Sequence, residues 1–100
     1  MSMPPAAAQA ARQRCLLFFR DPRRWPTWPF LPLVRRRPGL AEELGLLFDA
    51  VGTLNLYGYS STVFFCNVFR LPRKLDEFLT LPHETFDTAD EVADAGWSVD

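Results

Sequence analysis

GLAEELGLLFDAVG (residues 39–52) can be read in two ways, and the fold depends on the choice. As a helix, Leu40, Leu44, Leu47, Phe48 and Val51 fall at i, i+4, i+7, i+8 and i+11, on one face. Glu42, Gly45 and Asp49 then lie opposite, acids occupy the first turn, and Gly52 supplies a stop. As a strand, Leu44, Leu46 and Phe48 alternate, Leu47 breaks the pattern, and Pro38-Gly39 becomes the turn of a hairpin. The apolar face favours a helix over 40–51.

The preceding stretch, RDPRRWPTWPFLPLVRRRPG (residues 20–39), holds two tryptophans, five prolines and six arginines. Prolines 22, 26, 29 and 32 lie three or four residues apart, a spacing that forbids a helix and suits extended backbone. Leu31, Leu33 and Val34 suit an edge strand, and Pro32 argues against a central one. Two roles compete. As a nucleic-acid strap, Arg23, Arg24, Arg35, Arg36 and Arg37 would meet phosphates while Trp25 and Trp28 stack on bases. As a wrap, both tryptophans cover the sheet and the arginines meet acids from the second half of the chain. The acids favour the wrap, because single-strand binders usually carry uncompensated positive charge.

The charge distribution is lopsided. Residues 1–39 carry eight arginines and one acid, Asp21; residues 40–100 carry three basic residues and eleven acids. Halves of opposite sign either attract each other or address different partners.

Downstream, STVFFCNVFRL (61–71) is the clearest strand in the chain, β-branched and aromatic. Val63, Phe65, Asn67 and Phe69 face one way, Phe64, Cys66 and Val68 the other, which predicts a central strand covered on both sides. Pro72 opens a short helix over 73–80 that buries Leu75, Phe78 and Leu79, and Pro82 ends it. HETFD (83–87) is extended. Residues 88–95 form a helix with Thr88 and Glu91 as a capping box, and Gly96 is its left-handed stop. Trp97 can fold back on Val92, and WSVD can add a last strand.

The proline- and alanine-rich residues 1–9 read as a disordered tail before a single domain over 10–100. The expected fold is α+β: a short, antiparallel sheet, two or three helices, and the proline-rich segment wrapping one face. The expected core is Leu33, Leu44, Leu47, Phe48, Val63, Phe64, Phe65, Cys66, Val68, Leu75, Phe78, Val92 and Trp97.

Chemistry-bearing motifs are sparse. GYSST (58–62) half resembles a nucleophile elbow, but a strand follows Ser60 where a helix is required, and Thr62 replaces the second glycine. His83 follows Pro82, so HETFD lacks the helical H-E-x-x-H geometry of a zinc pair. Asp87, Asp90, Glu91 and Asp94 lack calcium-loop spacing and read as a solvated face, or a landing site for the arginines. Cys66 reads as a buried small hydrophobe. No phosphate loop or dinucleotide fingerprint is present, and no cofactor or metal is expected. No apolar run reaches the roughly 20 residues of a membrane span, and no export leader precedes Cys15. The expectation is a cytoplasmic chain with reduced thiols; its Arg, Pro and Ala richness fits a high-GC bacterial genome. The leading function is a non-enzymatic protein-interaction module, with Arg23, Arg24, Trp25, Trp28, Arg35, Arg36 and Arg37 as partner-binding residues. Single-stranded nucleic-acid binding by 20–39 is the alternative, and a small enzyme using Cys66, Ser60 or His83 the second.

Overall fold

The structure, a computed structural model, describes residues 5–59 and 61–100. The strand reading of 39–52 is the right one. β1 (Phe30–Arg35) and β2 (Glu43–Phe48) form an antiparallel hairpin, with Leu33 opposite Gly45 and Leu31 opposite Leu47. Leu40 N–H donates to the Arg37 carbonyl at 3.1 Å across Pro38-Gly39, and Gly39 has φ +75°. Proline then glycine at the two central positions, the second left-handed, is type II turn chemistry. The expected helix over 40–51 fails for a physical reason. Leu47 breaks an alternation that only a one-sided strand needs, and this strand is covered on both sides. Only the short α2 (Ala50–Leu54) is helical there, capped by the Asp49 carboxylate, which accepts from Gly52 N–H.

Five strands form one antiparallel sheet in the order β4-β3-β2-β1-β5, with β3 at Thr62–Phe64, β4 at His83–Thr85 and β5 at Trp97–Val99. The helices are α1 (Pro5–Arg20), α2, α3 (Leu75–Leu79) and α4 (Ala89–Asp94). The fold is α+β. Helix α1 includes residues 5–9 of the proline- and alanine-rich start; residues 1–4 lie outside the described residues. Among the described residues, no helix is long and apolar enough to cross a membrane.

Two further expectations change. β1 is internal, paired with β2 and β5, despite Pro32. Asp100 N–H donates to the Pro32 carbonyl at 3.0 Å, so the missing proline donor faces the β5 side just where that strand ends. The sheet thus forfeits little by carrying proline there. Conversely, the expected central strand 61–71 is regular only over Thr62–Phe64, and β2 is central instead. Asn67 explains the early stop. Its side chain accepts Phe69 N–H at 3.0 Å and caps a 3₁₀ turn over Val68–Arg70, and such local bonds compete with strand pairing.

The core has two halves. On one face of the sheet Leu31, Leu33, Leu47, Val63 and Trp97 pack under Leu16 and Phe19 of α1, Val92 of α4 and Trp25. On the other, Leu46, Phe48 and Phe64 pack against Phe78 of α3 and Ala50. Phe78 is the hub, its ring centroid 4.5 Å from Phe64, 5.2 Å from Phe30 and 5.5 Å from Phe48. Each such pair adds about 0.5–1.5 kcal/mol beyond area burial. Leu33, Leu47, Phe48, Val63, Phe64, Phe78, Val92 and Trp97 are buried as expected. Leu44 is exposed, and Phe65, Cys66, Val68 and Leu75 are only partly buried. The last four lie in the irregular 65–75 segment, which ends where Leu75 begins α3, rather than in a covered strand.

Thr88 caps α4 by accepting Glu91 N–H at 3.3 Å. Glu91 returns its carboxylate to Asp87 N–H at 2.8 Å, one residue earlier than a standard capping box. Gly96 ends the helix at φ +96°. Gly45 is needed for space: a Cβ there would stand 2.6 Å from Val63 Cγ1 and 3.0 Å from Trp97 Cζ3. Gly45→Ala should therefore destabilise the fold by about 1–3 kcal/mol through overpacking. Thr88→Ala should cost about 1 kcal/mol through the lost cap. Urea denaturation of the two variants checks both values, and a Gly45→Ala midpoint equal to wild type would contradict the packing described.

Candidate interaction site

The arginine-rich segment is folded into the domain's charge network. Arg35 sits at one end of β1, 5% exposed. It donates to Glu43 through Nε (3.1 Å) and Nη2 (2.8 Å), to Glu84 through Nη2 (2.9 Å), and to the Ala95 carbonyl through Nη1 (3.4 Å). Its Cζ lies 4.4 Å from the centroid of the Trp97 ring. Hydrogen bonding to the Glu43 carboxylate raises the Arg35 pKa above its ordinary value, against the opposing effect of burial. In return, Arg35 and then Arg37 hold the Glu43 carboxyl below the usual carboxylate range.

The neighbouring arginines are paired as well. Arg36 meets Glu42 at 2.7 Å and Arg37 meets Glu43 at 2.6 Å. Arg23 and Arg24 pair with Asp21 at 3.0 and 3.1 Å, an acid of their own segment rather than of the second half. Arg12 and Arg20 reach across to Asp90 on α4, and Arg12 also to Asp94. The acidic α4 face is thus a landing site for two arginines of α1 rather than for Arg23, Arg24 or Arg35 to Arg37. Trp25 is buried and donates its Nε1–H to the Phe18 carbonyl at 2.6 Å. Trp28 departs from the wrap expectation. It is 51% exposed, and its Nε1–H is anchored on Asp49 at 2.9 Å.

At the other end of β2 from the hairpin turn lies a cleft of about 830 Å³. The end of α1 and the following 3₁₀ turn (Pro22–Arg24) form one wall, the start of α2 a second, and Asp87–Asp90 a third. Phe19, Trp25, Phe48 and Ala50 supply apolar lining, while Arg23 and Asp87 stand exposed in its wall. Val51 lines the cleft and begins an exposed apolar run that continues through Leu54, Leu56 and Tyr57. This run is held to the domain, since Leu56 N–H donates to the Ala50 carbonyl at 3.1 Å and Asp49 both caps α2 and anchors Trp28.

The candidate enzyme residues are not brought into one constellation. Ser60 lies outside the described residues. The Cys66 thiol donates to its neighbour's carbonyl (Asn67, 3.3 Å), and burial pushes its pKa up, away from thiolate character. His83 is exposed, with Nδ1 2.7 Å from the Leu81 carbonyl and its ring beside Phe64. Among the described residues, no group of three or more His, Cys, Asp or Glu side chains is placed to hold a metal. Sequence reasoning missed Val51, Leu54, Leu56 and Tyr57 as a surface because the helix reading placed Val51 on the apolar face and assigned no role to the residues that follow Gly52. The available signal was Asp49 three residues before Gly52, the spacing of a helix cap. No family model matches the chain, and neither the curated proteins nor the solved structures contain a match to it.

The Arg35–Glu43 pair sets a pH dependence. A carboxyl whose pKa is lowered on folding contributes stability above its unfolded value, about 4.3, and that contribution is lost as pH falls through the folded value. Glu43→Gln should be less stable than wild type at pH 7, and the gap should narrow on acidification to pH 3 as the wild-type carboxyl protonates. Urea midpoints across that range measure it; a constant gap would contradict the pairing.

Proposed function

We propose that this protein is a non-enzymatic interaction module that binds another protein at the cleft and its apolar rim. The observation that carries the proposal is the exposed set Trp28, Val51, Leu54, Leu56 and Tyr57, which meets the cleft at Val51 and through the Trp28–Asp49 hydrogen bond, with Arg23 in the cleft wall. Tryptophan, tyrosine and arginine are the types enriched at binding hot spots, and clustered exposed apolar surface marks interaction sites. Asp49 fixes both Trp28 and α2 before a partner arrives, which lowers the ordering cost of association. Of the candidate residues, Trp28 serves as an apolar contact, and Arg23, ion-paired with Asp21 like Arg24 but fully presented in the cleft wall, as a polar one. Trp25 supports the cleft from below, Arg24 is tied to Asp21, and Arg35, Arg36 and Arg37 hold the opposite end of the sheet.

The alternative reading, a nucleic-acid strap, has weaker support because its arginines are already engaged by carboxylates and Trp25 is not available for stacking. The cytoplasm suits the chain: Cys15 and Cys66 are free thiols packed on opposite faces of the sheet.

A photo-crosslinking amino acid at Tyr57, incorporated in the native host, should yield one defined protein adduct. Trp28→Ser with Val51→Ser should abolish that adduct while leaving thermal unfolding close to wild type, since both side chains are about half exposed and neither belongs to the buried core. Single-stranded oligonucleotide should neither bind at physiological salt nor displace the partner. Salt-sensitive oligonucleotide binding at micromolar or better affinity, lost when Arg23, Arg24 and Arg35 to Arg37 become glutamine, would sink the protein-partner reading.

A further inference from the structure

The chain's ion pairing has one conspicuous gap. Every arginine of residues 1–39 except Arg14 is paired with a carboxylate, whereas Arg70, Arg73 and Lys74 make no ion pair among the described residues. Asp76 and Glu77 follow on α3 without closing one. All three cations are exposed. Immediately before Arg70 in the same loop stands Phe69, 91% exposed, the barest large apolar side chain described. It is not a loose tip. Phe69 N–H is held by the Asn67 side chain at 3.0 Å, and Arg70 N–H by the Asn67 carbonyl at 2.9 Å. Next to it runs a groove of about 240 Å³ whose apolar lining includes Pro32, Leu44, Leu46, Val68 and Phe69 itself.

We infer that the loop over 67–74 and this groove form a second docking surface, and that its occupant is a peptide segment of a partner protein in which carboxylates flank an apolar side chain. The apolar side chain enters the groove against Phe69, and the carboxylates meet Arg70, Arg73 and Lys74. Charge complementarity selects an acidic partner. The groove selects a peptide over a bilayer, because a flat membrane surface cannot fill a concavity. Glu42 and Asp100, which also line the groove, keep the peptide's carboxylates out of it, so that only the apolar side chain enters and the carboxylates stay at the cations of the loop. This surface lies toward the hairpin-turn end of β2, away from the cleft at Phe48 and Asp49, so the two readings stand or fall separately.

A random-peptide display library selected on the full chain is the probe, with Phe69→Ser and the triple variant Arg70→Gln, Arg73→Gln, Lys74→Gln as comparisons. Thermal unfolding confirms that both variants remain folded. Selection on wild type should enrich peptides carrying Asp and Glu around an aromatic or aliphatic residue. Fluorescence anisotropy with such a peptide should show Kd raised about tenfold or more by either variant and unchanged by Trp28→Ser with Val51→Ser. No loop-dependent enrichment, enrichment of basic peptides, or loss of binding in the Trp28 variant alone would overturn the inference. Loop-dependent binding to phosphatidylserine vesicles or to oligo-dT, without binding to acidic peptides, would also overturn it.

Discussion

The fold depends on the seating of the Trp97 indole over Gly45. Trp97 belongs to the edge strand β5, and Gly45 to the central strand β2, so the ring spans β1 and joins three strands on one face. Arg35 on β1 completes the arrangement by stacking its guanidinium on the same ring. The cost is visible. Trp97 Nε1–H is buried without a hydrogen-bond partner, a loss of about 1–3 kcal/mol. A ring of this size repays that through apolar burial and the cation–π contact. No side chain at Gly45 could coexist with the ring in this position.

Arg35 also organises the charges. It is the one arginine of the segment that is nearly excluded from solvent, and it brings together carboxylates from β2 and β4, strands that are not adjacent. Removing either acid would leave a buried cation partly uncompensated, which makes this knot a different object from the exposed pairs around it. Arg23, Arg24 and Arg36 lie in solvent, where pairs contribute little to stability. Their effect is on recognition: paired with carboxylates, they offer a polyanion little net field. Apart from Arg14, the positive half of the chain is therefore electrostatically quiet, and the other cations without an ion pair among the described residues lie in the acidic half.

The two proposed surfaces sit at opposite ends of β2. At one end the chain needs a cap for α2, and Asp49 supplies it while fixing Trp28. At the other, Asn67 ends β3 early and turns Phe69 outward. In each case a short polar side chain satisfies local backbone, and the consequence is an apolar side chain held in water. Exposed aromatics on anchored loops present contact area at low entropic cost.

The sequence by itself determined the α+β class, the caps of α4, and the burial of Phe48, Phe64, Phe78 and Trp97. These follow from local chemistry: a threonine that can cap, a glycine free to take positive φ, aromatic side chains too large to leave all in water. Tertiary structure alone decided whether 43–48 was helix or strand. Its leucines satisfy either period, and only coverage of both faces, by α1 and α4 on one side and α3 on the other, makes Leu46 and Leu47 simultaneously buried. It likewise decided that Pro32 could lie within the sheet, because β5 ends where the missing donor points. It decided that Trp25 is buried while Trp28 is not, since the two differ in what the fold brings to them: the Phe18 carbonyl of α1 for one, the carboxylate of Asp49 at the cleft edge for the other.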